Sequence, residues 1–181
     1  LVTARAIVSA RDEARGRRAP DASVPRVIIN KRADIALATR ADGVHLGFDA
    51  IRDLDARAIL GDDALIGRSL HSVSEVVAAA SEGGATDYVH LAPIWNPNSK
   101  KATRPALGTK PLGEACRAGL PVFAQGGLAP ERVEAALTFG ASGISVTGAL
   151  AHGGEPSSVL SPLAAALRAH EKSHSSNALT P

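Results

Sequence analysis

Residues 121–148 read PVFAQGGLAPERVEAALTFGASGISVTG and contain one complete strand–helix–strand unit. The apolar runs Pro121–Ala124 and Gly143–Val146 predict two strands, because each is short, rich in β-formers and bounded by turn residues. Between them, Ala129-Pro130-Glu131 predicts a helix start, since proline suits the first helical position and the helix dipole favours a carboxylate there. Gly140 is a typical helix end. The stretch therefore predicts a parallel β-α-β unit.

The same alternation continues toward the N-terminus. Four further strands are predicted, at Val27–Ile29, Gly43–Leu46, Leu65–Ser69 and Tyr88–Leu91. The helix between the last two begins with the capping box Ser72-Val73-Ser74-Glu75, in which a hydroxyl and a carboxylate accept bonds from unpaired amides. Six strands that alternate with helices predict a parallel sheet with right-handed crossovers. The strand count alone leaves an open doubly wound sheet and a partial barrel as alternatives.

The two ends of the chain lie outside this alternation. Residues 1–15 are predicted as one amphipathic helix, and a loop rich in Arg, Pro and Asp follows it at residues 16–25. Ser161-Pro162 is expected to open a last helix that reaches about Lys172. We therefore expect one domain over residues 1–172 and a flexible polar tail over residues 173–181. Because the chain begins with Leu1 and not with methionine, we also expect it to be a fragment of a longer protein.

Composition limits the classes of function. The chain has 181 residues, with 20 Lys+Arg and 18 Asp+Glu, so its net charge is only +2 and no basic stripe suggests nucleic acid or a membrane surface. Its single cysteine, Cys116, excludes an internal disulfide and a multi-cysteine metal site. No apolar run is long enough for a membrane span, and the N-terminus lacks the pattern of a signal peptide. A cytoplasmic location is the expectation; the oligomeric state stays open.

Period-two alternation sorts the polar residues of the strands. In a barrel the outward face of each strand packs on helices, and the inward face lines the interior. On this rule the inward positions are Asn30, His45, Ser69, His71, His90 and Thr147. A lone strand histidine is more often a satisfied core residue than a catalyst, so the convergence of several polar residues carries the prediction of a lined cavity.

Glycine turns follow the last two strands. Gly126-Gly127 comes after the fifth strand, and Thr147-Gly148 comes after the sixth. In barrels, backbone amides at these two positions often bind a phosphate, which favours a barrel over an open sheet. The alternative is that Gly126-Gly127 simply forms a tight turn that requires glycine.

A long loop follows the fourth strand, over residues 93–110. Loops of this length in compact domains are usually functional or disordered. Ser99 and Lys100 offer a hydroxyl and an ammonium to an anionic group, and Trp95 offers a stacking surface. A solvated basic loop is the alternative interpretation.

With these residues in place, the chain resembles the thiamine-phosphate synthase and thiazole tautomerase superfamily. The matching stretches are Ile28–Asn30 with Arg32–Leu37, Ala41–Gly47, Ile66–Ser72, Asp87–Val89 with Pro93-Ile94 and Lys100-Lys101, Gly126-Gly127, and Gly140–Ile144. The resemblance implies an α/β fold, a (βα)8 TIM barrel that is N-terminally incomplete here, with about six βα units. It also implies a thiazole phosphate as ligand, which the synthase joins to a pyrimidine diphosphate.

The resemblance assigns roles to several of these residues. Asn30, Ser69 and Lys100 match contacts to the diphosphate or the pyrimidine, and Ser99 matches a contact in the thiazole-phosphate loop. Gly127, Thr147 and Gly148, with Gly126 beside them, match the phosphate site. Arg68 and His71 complete the set of expected substrate contacts, Arg68 being more typical of the tautomerase branch. Amide, hydroxyl and ammonium donors are the groups that oxyanions require.

Three positions depart from the family pattern. The synthase has carboxylates that hold Mg²⁺ at the positions of Lys31 and Ala50, and neither residue present here ligates a cation. Mg²⁺ is therefore expected only if synthase activity survives. The tautomerase acid/base is a histidine at the position of Pro93. His90, three residues earlier and inward by parity, is the substitute that we expect for proton transfer.

These observations leave three hypotheses. The first is a thiamine-biosynthesis protein that binds a thiazole phosphate, synthase-like or tautomerase-like. The second is a non-catalytic phosphate-ligand-binding or regulatory domain of a larger parent protein. The third is another phosphate-binding barrel, such as an isomerase or epimerase, and the shortage of inward carboxylates counts against it.

Overall fold

The structure is a computed structural model that describes residues 1–17, 25–81, 83–96, 104–148, 150 and 155–177. The strands are β1 Ile28–Asn30, β2 Gly43–Leu46, β3 Leu65–Leu70, β4 Tyr88–Leu91, β5 Val122–Gln125 and β6 Gly143–Ser145. The helices are α1 Val2–Arg17, α2 Ala33–Thr39, α3 Asp53–Leu60, α4 Val73–Ser81, α5 Thr109–Cys116, α6 Pro130–Thr138 and α7 Pro156–Asn177. Every predicted strand is present, with its ends displaced by one residue at most.

The chain divides into two compact units. Unit 1 comprises Leu1–Ser69 and Ser81–Tyr88, and unit 2 comprises Leu70–Ala80 and Val89–Pro181. Each unit contains its own buried apolar cluster. The two units are described separately below.

In unit 1, β1, β2 and β3 are parallel neighbours in chain order, with Val44 of β2 level with Ile29 and with Ile66. Alternate strand residues pack with α2 and α3 in a core of Ala33, Ala36, Val44, Leu46, Ala56 and Ile66. Because Val44 and Leu46 are buried in this core, His45 between them lies on the opposite face of β2. The predicted parity of this strand is confirmed.

Helix α1 is attached to unit 1 through a buried ion pair. Arg11 is 8% exposed; its guanidinium pairs with Asp42, and its Nη2 donates to the carbonyl of Arg40 at 3.1 Å. Asp42 also accepts hydrogen bonds from Arg15 Nη2 and from the amide of Val27, both at 2.7 Å. This network fixes the helix beside the segment that enters β1.

In unit 2, β4, β5 and β6 are again parallel neighbours in chain order. Val89, Leu91, Val122 and Ala124 are fully or almost fully buried in a core that also takes in residues of α4, α5 and α6. Their strand neighbours His90 and Phe123 are partly exposed and lie on the other face. The alternation predicted for β4 is therefore also observed.

The last helix differs from its prediction. Helix α7 begins at Pro156, so Pro162 lies inside it and not at its first position, and it continues to Asn177, past the expected end at Lys172. Pro156 occupies the first turn, where the missing amide of proline costs nothing. The Ser158 hydroxyl adds a bond to the carbonyl of Glu155 at 2.7 Å. The helix thus starts one proline earlier than expected.

These elements confirm an α/β fold with parallel strands. The described residues form six strands, and they do not show a closed eight-stranded barrel. Among the described helices, none combines the length and the apolar character that crossing a membrane requires.

Candidate functional site

A line of hydrogen bonds crosses the polar face of unit 1. His45 Nε2 lies 2.8 Å from Ser69 Oγ, and His45 Nδ1 lies 3.2 Å from the phenol oxygen of Tyr88. The rings of His45 and Tyr88 are 5.6 Å apart. His45 and Ser69, both predicted to face inward, are therefore brought together, and Tyr88 joins them although the sequence analysis did not single it out.

Burial affects the protonation of His45 and Tyr88. It lowers the pKa of the His45 imidazole, because desolvation disfavours the charged ring. Burial, and then the nearby Asp87 carboxylate, raise the pKa of Tyr88 to about 12. At neutral pH both groups are therefore uncharged, and the imidazole links a phenol to the Ser69 hydroxyl. The hydrogen bond to His45 Nε2 fixes the position of the Ser69 hydroxyl.

Gly67 makes room for the Tyr88 ring. A Cβ at this position would lie 2.1 Å from the Tyr88 Cζ atom, which no real contact allows. The glycine in Gly67-Arg68-Ser69 is therefore explained by the close approach of the phenol.

Arg68 lies on the opposite face of β3 from Ser69. Its Nη1 is 3.3 Å from Asp53 Oδ2, and the same carboxylate oxygen accepts a bond from the Thr86 hydroxyl at 2.7 Å. Asp53 is 8% exposed and starts α3. The structure thus places Arg68 in an ion pair at the helix-covered face, and it does not bring Arg68 together with Ser69.

The ends of β1 and β2 carry the residues expected at the metal position. Asn30 is exposed and is level with His45 in the sheet register. Lys31 follows it, and its ammonium lies 2.6 Å and 2.8 Å from the two oxygens of Asp49. Ala50 has no side-chain oxygen, and the Asp49 carboxylate is already paired with a cation. The residues present do not fit a divalent metal ion.

The described part of the chain contains no group of three or more His, Cys, Asp or Glu side chains that could hold a metal ion.

In unit 2, the turn after β5 packs closely against the segment after β4. The amide of Ile94 donates to Gln125 O at 2.8 Å, and the amide of Trp95 donates to Gly126 O at 3.2 Å. A Cβ on Gly126 would lie 2.9 Å from Pro93, and one on Gly127 would lie 2.6 Å from the carbonyl oxygen of Asn96. Both glycines also have positive φ. The tight-turn interpretation of Gly126-Gly127 is therefore sufficient to explain the residue type.

The same turn lies beside the end of β6. Gln125 is level with Ser145 in the register, and its Nε2 donates to the Thr147 hydroxyl at 3.3 Å. Thr147 and Gly148 are exposed. The two predicted phosphate turns are neighbours, and Gln125, which the sequence analysis passed over, joins them.

Arg132 of α6 adds a positive charge to this end of unit 2. Its Nη1 donates to the carbonyl of Gly127, and its guanidinium lies 5.7 Å from the centre of the Trp95 ring. No side chain caps α6 at Ala129. Helix spacing gave no signal for Arg132, because its partners come from two other segments.

The two remaining histidines of the prediction lie in unit 2. His90 Nδ1 is 3.4 Å from Ser145 Oγ, and its ring packs edge-on against Phe123 at 5.8 Å. In the sheet register His90 is level with Phe123, and Phe123 is level with Gly143, the first residue of β6. His90 therefore lies before the carboxyl ends of the strands. His71 Nδ1 contacts the carbonyl of Ala92 at 2.8 Å, so its ring supports the end of β4. Ser99 and Lys100 lie outside the described residues.

The family model and the sequence relatives agree on one family. A family model described as thiamine monophosphate synthase matches residues 16–150. The chain is 41% identical over 143 residues to the thiamine-phosphate synthase of Acidothermus cellulolyticus, covering 78% of this chain and 66% of that protein. It is 42% identical over 125 residues to the thiamine-phosphate synthase of Parasynechococcus marenigrum, covering 68% and 35% respectively.

A solved structure shares the fold. Thiamine phosphate pyrophosphorylase from Pyrococcus furiosus superimposes with a TM-score of 0.76 at 22% identity, over 93% of this chain and 75% of that chain. The chain spans between about a third and two thirds of the length of the two sequence relatives named above. Because the family model covers most of the sequence, the chain belongs to the thiamine monophosphate synthase family.

Proposed function

We propose that this chain binds a thiazole phosphate, with the phosphoryl group at the ends of β5 and β6, as part of a thiamine-phosphate synthase-like protein. The observation that carries the proposal is the 3.3 Å bond from Gln125 to Thr147, which holds the two glycine turns side by side. The family supplies the ligand class, because the named relatives are thiamine-phosphate synthases.

The chemistry of this end suits a phosphoryl group. Thr147 offers a hydroxyl, and backbone amides of glycine turns bind phosphate oxygens without interference from a Cβ. Arg132 brings a guanidinium to the Gly127 carbonyl, so a positive charge lies close to the turn. Charge-assisted hydrogen bonds to oxyanions are about twice as strong as neutral ones.

Titration calorimetry with thiazole phosphate tests the proposal. We expect Thr147→Val to weaken binding at least about tenfold, because one hydrogen bond to a charged group is worth about 1.5–3 kcal/mol. The matched control is Thr138→Val, at an exposed position at the end of α6. Equal affinities for the two variants, or no binding by the unchanged protein, would contradict the proposal.

A second candidate function is a tautomerase-like proton transfer by His90. The contact between His90 Nδ1 and Ser145 Oγ favours it, because the contact directs the imidazole along the polar face toward the end of β6. Histidine is suited to proton transfer near neutral pH. If His90 is the acid/base, His90→Gln should lower the rate of thiazole tautomerisation by at least about a hundredfold.

The control for this variant is thiazole phosphate affinity, which should stay within about threefold of that of the unchanged protein. An unchanged tautomerisation rate in His90→Gln would exclude His90 as the catalyst. Tight binding without turnover of any kind would favour the non-catalytic phosphate-binding domain.

A further inference from the structure

The site at the ends of β1 and β2 differs from the family pattern at two positions, and at one of them a negative charge is replaced by a positive one. Lys31 stands where the resemblance expects a metal-binding carboxylate, and Ala50 stands where it expects a second one. The lysine side chain runs across the end of β2: a Cβ on Gly47 would lie 3.3 Å from the Lys31 Cε atom. Its ammonium then meets Asp49.

The backbone at Lys31 holds the residue in an uncommon conformation. Its φ is 62°, in the left-handed region that asparagine and aspartate tolerate better than lysine does. Its amide donates to the carbonyl of His45 at 2.8 Å, which fixes the turn against β2. A lysine in this conformation carries a local cost, so its position is more informative than that of an ordinary surface lysine.

Charge balance shows what the lysine can replace. Two carboxylates and one Mg²⁺ sum to zero, and the Lys31 ammonium with the Asp49 carboxylate also sums to zero. The net charge of the metal-loaded family pattern is therefore matched here without a metal, although Lys31 supplies one positive charge where Mg²⁺ supplies two. A divalent cation placed beside Lys31 would be repelled by the ammonium.

The ammonium retains capacity for a ligand. It has three N–H donors, and the two Asp49 oxygens accept at most two of them in this geometry. The pair is about half exposed on both sides, and exposed ion pairs contribute little to stability. A ligand oxyanion can therefore share the ammonium, or take it from Asp49, at little cost.

The neighbouring groups define the ligand class. Asn30 precedes Lys31 and lies level with His45, whose Nε2 meets the Ser69 hydroxyl. The next basic residue, Arg32, is occupied by an ion pair with Asp34. An amide, a hydroxyl and one ammonium thus belong to the same end of the unit 1 strands, and they suit a group with several phosphoryl oxygens.

We infer that Lys31 takes the place of the divalent metal in this chain, so that the ends of β1 and β2 bind a diphosphate group directly and without Mg²⁺. The inference deepens the proposed function and rests on it, because it concerns the second anionic substrate of the same family. It makes Lys31 a binding residue and Asp49 the group that positions it.

Calorimetry with inorganic pyrophosphate tests the inference. In EDTA we expect binding at least as tight as in MgCl2, because Mg²⁺ complexes free pyrophosphate and competes with the protein for it. Lys31→Asn should weaken binding at least tenfold in both buffers, since asparagine keeps the left-handed backbone and loses the charge. The matched control is Lys110→Asn, an exposed lysine in α5, which should change nothing.

A double variant gives a readout that does not depend on pyrophosphate. Lys31→Asp with Ala50→Asp restores the carboxylates of the family pattern and should bind Mn²⁺, measured by the loss of the free-ion signal in electron paramagnetic resonance. The unchanged protein should leave that signal intact. Mn²⁺ binding by the unchanged protein, a requirement for Mg²⁺, or full affinity in Lys31→Asn would overturn the inference. Failure of thiazole phosphate binding with intact pyrophosphate binding would instead count against the proposed function alone.

Discussion

His45 is the residue whose chemistry depends most on its surroundings. It lies between Ser69 and Tyr88, and burial lowers its pKa. The sequence placed His45 and Ser69 on one face by parity, yet it gave no reason to connect them. The connection depends on Tyr88, which lies 43 positions further along the chain than His45, and on Gly67, which leaves space for the phenol ring.

The lowered pKa predicts a pH dependence of stability. The folded state disfavours the imidazolium, whereas the unfolded chain binds the proton with a pKa near the ordinary histidine value of 6.5. Stability that is present above pH 6.5 is therefore lost as the pH falls below it. Urea unfolding at pH 7.5 and at pH 5.5 should show a smaller loss of unfolding free energy for His45→Gln than for the unchanged protein.

The change in unfolding free energy between the two pH values separates this effect from the loss of the two hydrogen bonds, because that loss lowers stability at both pH values. If the unfolding free energy changed equally in the two proteins between pH 7.5 and pH 5.5, the assigned protonation of His45 would be contradicted.

At the scale of elements, the turn after β5 is fixed by the segment after β4. Gly126 and Gly119 have almost the same φ, 91° and 90°, but they differ in how closely other atoms pack around them. A Cβ on Gly126 would meet Pro93 at 2.9 Å, and nothing lies within 4 Å of one on Gly119. The two positions therefore separate backbone strain from close packing.

Alanine at each position measures the packing. Gly119→Ala should lower the unfolding free energy by about 1–2 kcal/mol, the cost of a left-handed alanine. Gly126→Ala should cost about 1–3 kcal/mol more, because the methyl group overpacks against Pro93. Urea denaturation of both variants gives the difference directly. Equal costs would mean that the turn does not depend on the β4 segment.

Local sequence signals predicted most of the elements. The Ser72 half of the capping box is present, with the Glu75 amide donating to the Ser72 hydroxyl at 3.2 Å. The Glu75 carboxylate accepts a hydrogen bond from the amide of His71, one residue before the cap. Side-chain partners that come from distant segments had no such signal. The Arg11–Asp42 pair joins residues 31 positions apart. Arg68 pairs with Asp53 because it lies on the face of β3 opposite Ser69, and the resemblance to the tautomerase branch did not indicate this face.

At the scale of the molecule, two buried cores each support one set of strand ends. The ends in unit 1 carry Asn30, Lys31 and Ser69, and the ends in unit 2 carry Gly127, Thr147 and Gly148. Family membership and the alternation of strands and helices could be predicted from the sequence, because both rest on local motifs. The residue types at Lys31 and Ala50 could be read from the sequence, but the ion pair of Lys31 with Asp49 required the structure.

The proposed function requires that a phosphoryl group bind between the ends of β5 and β6. Amide chemical shifts of the intact protein during a titration with thiazole phosphate test this most directly, with the unphosphorylated thiazole alcohol as the reference ligand. We predict that Gly127, Thr147 and Gly148 shift with the phosphate ester and stay unmoved by the alcohol. Shifts of equal size with both ligands, or shifts confined to residues of unit 1, would contradict the account.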